Sequence, residues 1–148
     1  MPFEREQSAG YMTNWAARLF ARAIDQRLKE IGVSSGQLPV FFALADGHSL
    51  TQKELALRAS IEQPTMAATL SRMERDGLIE RRPDPADRRS SLISLSATAR
   101  DKARLVMQAV DETNAAALEA LSEDERAALL DSLGKIVAAL GRLLADER

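Results

Sequence analysis

The chain has 148 residues, of which 45% are hydrophobic, 4% aromatic and 28% charged, and its formal net charge is −2. That length suits one domain, or two small ones sharing a core, and the composition suits a helix-rich globular protein. The absence of cysteine excludes disulfides, thiolate-metal sites and thiol redox sensing, and the apolar runs fall far short of a transmembrane helix.

The opening Met1-Pro2-Phe3-Glu4-Arg5-Glu6 carries acids and no apolar leader segment, so no secretory signal is visible and a cytoplasmic protein is expected. A long helix is predicted over 8–31. Met12, Trp15, Leu19, Ala23, Leu28 and Ile31 recur at steps of mostly three and four, with Ala16, Phe20 and Ile24 beside them. Gly32 is its C-cap. Ser34 and Ser35 are candidate N-caps for a second helix at about 35–46, with Pro39 near its first turn and Asp46-Gly47 as its stop.

Thr51 and Glu54 form a capping box that starts a third, short helix ending near Arg58 or Ala59. Ser60-Ile61-Glu62 is a turn. A fourth helix follows from Gln63 to Asp76, with Pro64 in its first turn and Gly77 at its end. Met66, Leu70 and Met73 face inward, whereas Thr65, Thr69 and Arg72 share a different face, adjoined by Ala68 and Arg75. Leu78–Arg82 and Ser91–Leu95 read as two strands joined by an exposed loop, Pro83-Asp84-Pro85-Ala86-Asp87-Arg88-Arg89. Ser96 caps a fifth helix, about 97–120, striped by Ala99, Ala103, Val106, Val110, Ala117 and Leu121. Ser122 and Glu125 box the start of a sixth, whose broad apolar face runs from Leu129 to Leu144. The fold class expected is mainly α with a small β-hairpin, in the order α-α-α-α-β-β-α-α.

Residues 52–76 have the spacing of a helix-turn-helix, whose second helix presents its N-terminal residues to base edges in the major groove. Gln63 suits adenine, Thr65 and Thr69 suit bases or phosphates, and Ala68 suits a thymine methyl. Arg72 and Arg75 lie further along and suit phosphates. The free N–H groups at the helix start also favour phosphate. An ordinary αα-hairpin with solvated threonines and arginines is the plainer account of the helix pair alone. The hairpin that follows argues against it, because an arginine on a proline-braced tip suits the minor groove. Asp87, two residues before Arg89, is placed to orient its guanidinium by a charge-assisted bond. Charge follows the same division: residues 51–104 carry +3 and the remainder −5, a basic lobe on an acidic body.

The region from Leu55 to Leu95 resembles the winged helix-turn-helix of the multiple antibiotic resistance regulator (MarR) family. The resemblance rests on Leu55-Ala56, on Ile61-Glu62-Gln63-Pro64-Thr65-Met66, on Leu70, Met73-Glu74 and Gly77-Leu78-Ile79 with Arg81, and on Asp84-Pro85, Asp87-Arg88-Arg89 and Ile93 with Leu95-Ser96. The Asp-x-Arg of the family's wing falls on Asp87 and Arg89. Helix order and length agree, so the resemblance covers nearly the whole chain. It implies an obligate homodimer held by the first, fifth and sixth helices, a palindromic operator in double-stranded DNA, and relief of repression by a small, often phenolic ligand. Ala67 and Ala68 stand where many relatives have Ser or Thr, and Ala99 stands where a glycine is usual.

The domain plan is therefore a helical dimerisation region at 1–34 and 97–148 around a winged helix-turn-helix at 35–96. DNA contacts are expected from Gln63, Pro64, Thr65, Ala68, Thr69, Arg72, Arg75, Asp87, Arg88 and Arg89. Tyr11, Trp15, Phe41 and Phe42 are candidates to line a pocket for a phenolic or carboxylate effector, although aromatics at helical spacing more often serve a core. His48, the only histidine, reads as a solvated loop residue, and no metal or cofactor is expected. No nucleophile–base pair, phosphate loop or metal cluster points to an enzyme. A winged-helix module that binds protein instead of DNA is the alternative, and the intact arginines argue against it.

Overall fold

A computed structural model describes residues 4–147, so Met1–Phe3 of the acid-bearing N-terminus, and Arg148, lie outside the described residues. The helices are α1 (Ala9–Leu28), α2 (Leu38–Leu44), α3 (Gln52–Ala59), α4 (Gln63–Arg75), α5 (Ala97–Ala117) and α6 (Glu123–Ala145), with strands β1 (Ile79–Asp84) and β2 (Asp87–Leu95) between α4 and α5. The chain divides into two compact units, Met1–Asp111 and Glu112–Arg148.

The first unit is built on local signals. Ser8 Oγ accepts from the Tyr11 N–H at 3.2 Å and starts α1. A 3-10 turn, Lys29–Ile31, and Gly32 at φ 77° end it, the left-handed conformation that glycine adopts without a Cβ penalty. The expected second helix begins instead as a 3-10 turn, Ser35–Gln37, and only Leu38–Leu44 is α-helical. Asp25 of α1 fastens that entry: its Oδ1 accepts from Ser35 N–H at 2.6 Å and its Oδ2 from Ser35 Oγ at 3.1 Å. The Thr51–Glu54 capping box is formed in both directions, at 2.8 and 3.2 Å.

Ile24, Leu28, Val40, Phe41, Leu44, Leu55, Met66, Leu70, Met73, Leu78, Ile93, Leu95, Ala99 and Val106 form the core of this unit. The α1 stripe thus joins the core only from Ile24 onward. Met12, Leu19 and Phe20, expected on the same buried face, are exposed. In α4 the inward stripe of Met66, Leu70 and Met73 is fully buried. Thr69 is buried with it, at 7% exposure, because it lies one turn from both Met66 and Met73.

The hairpin differs from expectation in length. The ladder continues to Arg82↔Leu92 and Pro83↔Ser91, and a further pair, Asp84↔Asp87, closes on Pro85-Ala86. The long loop is therefore a tight turn plus a bulge that sets Arg88, Arg89 and Ser90 outside the pairing. Pro83 fits because β1 is an edge strand, where a missing N–H is tolerated, whereas Leu50 bridges the far side of β2 through Ile93.

The second unit carries the last turn of α5 and all of α6. The Ser122–Glu125 capping box is formed, at 2.8 and 3.2 Å. Arg126 Nε donates to the Leu118 and Leu121 carbonyls at 3.1 and 3.2 Å and so closes the corner after α5, which ends at Ala117. No described residue of α6 is buried, and Leu130, Val137, Leu140, Leu143 and Leu144 are all more than half exposed.

Leu70, wholly buried against this core, gives a test of the packing. Leu70→Ala is expected to lower stability by about 2–5 kcal/mol, read as a fall in urea midpoint with an unchanged slope.

Candidate nucleic-acid interface

The outer face of α4 follows from its inner one. With Met66, Thr69, Leu70 and Met73 turned inward, Gln63, Pro64, Thr65, Ala68, Ser71, Arg72 and Arg75 are left exposed. Ser71 belongs to this face by helical spacing, although sequence reasoning did not single it out. Glu62 occupies the N-cap without a side-chain cap bond. The first N–H groups of α4 are therefore open at the end where the helix dipole attracts an anion. Thr69 Oγ1 donates to the Thr65 carbonyl at 3.0 Å, which commits its hydroxyl to the helix. Of the two threonines, Thr65 is the one on the exposed face.

The wing is organised by two carboxylates. Asp84 Oδ1 accepts from Ala86 N–H at 2.9 Å, shaping the turn. Asp87 Oδ1 accepts from Arg89 N–H at 2.9 Å and its Oδ2 from Ser90 Oγ at 3.2 Å. Asp87 thus holds the backbone of the bulge, where sequence reasoning had it bind the Arg89 guanidinium. The two arginine head groups are left exposed, with no ion-pair partner among the described residues.

The remaining arginines divide by partner. Arg72 is also unpaired among the described residues. Arg75 meets Asp76 at 3.3 Å, Arg81 meets Glu74 at 2.8 Å, and Arg82 donates to Ser49 Oγ at 3.2 Å. Among the described residues of α4 and the hairpin, the cations free to meet an anion are thus Arg72 on the helix and Arg88 and Arg89 on the wing. Helix and wing leave a common base: Gly77, at φ 72°, ends α4, and Ser96 Oγ donates to its carbonyl at 2.6 Å.

The aromatic candidates separate. Tyr11 and Trp15 meet edge to face, 6.2 Å between ring centres, with the Arg5 guanidinium 4.9 Å above the Trp15 ring. Arg5 also binds Glu6 at 2.8 Å, and that hydrogen bond holds the Glu6 carboxyl below its ordinary range. Phe41 is a core residue, whereas Phe42 is 53% exposed. Consecutive helical positions point about 100° apart, so these two do not share one surface. His48 is exposed, and among the described residues no group of three or more His, Asp or Glu is arranged to hold a metal ion.

Comparison with known proteins agrees with this geometry. A model described as "MarR family" matches residues 31–90, which span α2 through most of the wing. The uncharacterized HTH-type transcriptional regulator YwoH of Bacillus subtilis (strain 168) is 33% identical over 92 residues, covering 62% of this chain and 66% of that relative. A probable transcriptional regulator from Pseudomonas aeruginosa superposes with a TM-score of 0.82 at 25% identity, covering 90% of this chain and 99% of that one. The same fold is found in the PcaV transcriptional regulator from Streptomyces coelicolor in complex with its natural ligand, with a TM-score of 0.86 at 24% identity over 95% of this chain and 99% of that one. It is also found in a mutant MarR from E. coli complexed with operator DNA, with a TM-score of 0.79 at 23% identity over 86% of this chain and 91% of that one.

The Asp87 contacts predict a local effect. Removing a charge-assisted bond of about 1.5 kcal/mol in Asp87→Ala should speed amide exchange at Arg89 by roughly tenfold. Exchange at Leu70, deep in α4, should stay unchanged.

Proposed function

This chain belongs to the MarR family, and on that footing we propose that it is a DNA-binding transcriptional regulator. It works as a homodimer on a palindromic operator and releases it when a small phenolic or carboxylate effector binds. Repression is the default mode. The observation that carries the reading is the pairing of two surfaces on one base. One is the exposed face of α4, bearing Gln63, Thr65, Ala68 and Arg72. The other is a wing that holds Arg88 and Arg89 without carboxylate partners.

The roles follow from groove chemistry. The start of α4 enters the major groove, where Gln63 and Thr65 reach base edges and Ala68 meets a thymine methyl. Arg72 and Arg75 take phosphates and set the register. Arg88 and Arg89 lie along the minor groove, where narrow A/T tracts concentrate negative potential. Residues 35–96 form the DNA-reading lobe, and 1–34 with 97–148 form the body of the dimer.

A second copy of the chain explains the apolar side chains that each unit leaves in the open. Met12, Leu19 and Phe20 of α1 and Leu130, Val137, Leu140, Leu143 and Leu144 of α6 are all at least 36% exposed. Large apolar side chains left open along a long helix mark an interface. The likeness of fold to an operator-bound MarR and to a ligand-bound PcaV supports both the DNA partner and the effector. Within the described residues no helix is long and apolar enough to cross a membrane.

A mobility-shift titration on the DNA upstream of the gene tests this reading. The wild-type protein should prefer that DNA to random duplex, with affinity falling steeply as salt rises and half-sites about one helical turn apart. Arg89→Ala should cost about 1–3 kcal/mol and relax discrimination, whereas Arg72→Ala should weaken all DNA alike and lower the salt slope by about 1. Phenolic carboxylates added to the complex should release the DNA. No preference over random duplex would sink the proposal and favour a protein-binding winged helix. The dimer has its own check: light scattering should give twice the chain mass for the wild type and a shift toward monomer for Val137→Glu with Leu140→Glu.

A further inference from the structure

Glu74 is the one acidic residue of α4, and it lies in the last turn. A carboxylate there faces the negative end of the helix dipole, which disfavours it. It also adds negative charge to a lobe whose proposed partner is a polyanion. Its Oε2 accepts from Arg81 Nε at 2.8 Å, so the end of α4 is tied to β1 by a side-chain bond. Arg81 is the better shielded partner, at 30% exposure against 51% for Glu74.

The pair spans the joint between helix and wing. At the base, Leu78 N–H donates to the Met73 carbonyl at 2.8 Å, and Ser96 Oγ donates to the Gly77 carbonyl. Those bonds fix where the hairpin starts. Further up, Leu50 and Ile93 exchange two backbone bonds, at 3.0 and 2.8 Å, which hold β2 to the segment before α3 but make no bond to α4. Arg81 is paired with Ile93 further up the ladder, so a bond from Arg81 to the helix acts at a distance from the pivot. As an exposed ion pair it adds little to stability. Its consequence is directional.

We propose that Glu74 and Arg81 are positioning residues for DNA recognition: their ion pair sets the angle between α4 and the wing, so that Arg88 and Arg89 meet the minor groove while α4 lies in the major groove. The inference rests on the DNA-binding reading above. It assigns Arg81 to the joint and removes it from the set of cations that meet phosphate.

Charge and geometry give opposite signs for Glu74→Gln. Loss of a negative charge near phosphate tightens binding to any duplex. Loss of the tie loosens the wing and weakens binding to the preferred sequence. The probe is a duplex enriched by the wild-type protein from a random-sequence pool, with unselected duplex as reference. Glu74→Gln should bind the enriched duplex about three- to tenfold more weakly, within the range for coupled neighbours, with unselected duplex unchanged or tighter. Its melting temperature should stay near that of the wild type. The exchanged pair, Glu74→Arg with Arg81→Glu, keeps the net charge and should recover discrimination to within about twofold. Equal or tighter binding of the enriched duplex by Glu74→Gln overturns the inference, as does an exchanged pair that discriminates no better than Arg81→Glu alone. If the wild-type protein enriches no sequence, the DNA-binding reading itself fails, whatever Glu74 does.

Discussion

The helix and wing depend on one small knot of hydrogen bonds around Gly77 and Ser96. Gly77 adopts φ 72°, which turns the chain sharply out of α4 at a conformation that would strain a residue with a Cβ. Its carbonyl accepts from the Ser96 hydroxyl, and the Leu78 carbonyl accepts from the Ser96 N–H at 3.0 Å. The same Ser96 Oγ accepts from Ala99 N–H at 3.1 Å and so starts α5. One buried serine therefore joins the end of the proposed reading helix, the foot of the wing and the first turn of α5. The hairpin returns to the place it left, so both its ends are fixed at the end of the helix.

Much of this was legible because the signals are local. The capping boxes at Thr51–Glu54 and Ser122–Glu125, the Pro64 start of α4 and the Met66–Leu70–Met73 stripe each involve residues within seven positions of one another. The wing was harder to read. Prolines at 83 and 85 suggest an open loop, but an edge strand tolerates Pro83, and Asp84 and Asp87 supply side-chain bonds in place of ladder bonds. The burial of Thr69 was obscured by its polarity, because the Thr65 carbonyl satisfies its hydroxyl within the helix. The long apolar stripe of α1 carries no mark of where burial stops. Ile24 and Leu28 are covered within their own unit, whereas Met12, Leu19 and Phe20 are not, and the spacing is the same for both groups.

The arginines illustrate a separate limit. Arg72, Arg81, Arg82 and Arg89 look alike in the sequence, each being a basic residue in a basic stretch. Their partners separate them: Arg81 is held by Glu74 and Arg82 bonds Ser49, whereas Arg72 and Arg89 have no carboxylate partner among the described residues. The +3 charge of residues 51–104 therefore overstates how many cations are available and says nothing of where they lie. Available charge is set by pairing, and pairing is a property of the fold.

The bulge between Asp87 and Ser91 has a consequence for how such a protein can change over time. Below it, the register from Ile79↔Leu95 to Pro83↔Ser91 is regular and tied to the core through Ile93. Within it, the chain already accommodates three residues with no ladder partner. An insertion or deletion at Arg88–Ser90 would lengthen or shorten this segment without slipping the strands, so no buried side chain would be turned outward. The segment that bears the wing arginines is thus the part of the hairpin most open to length variation. The wing can thus change in reach while the framework beneath it stays constant.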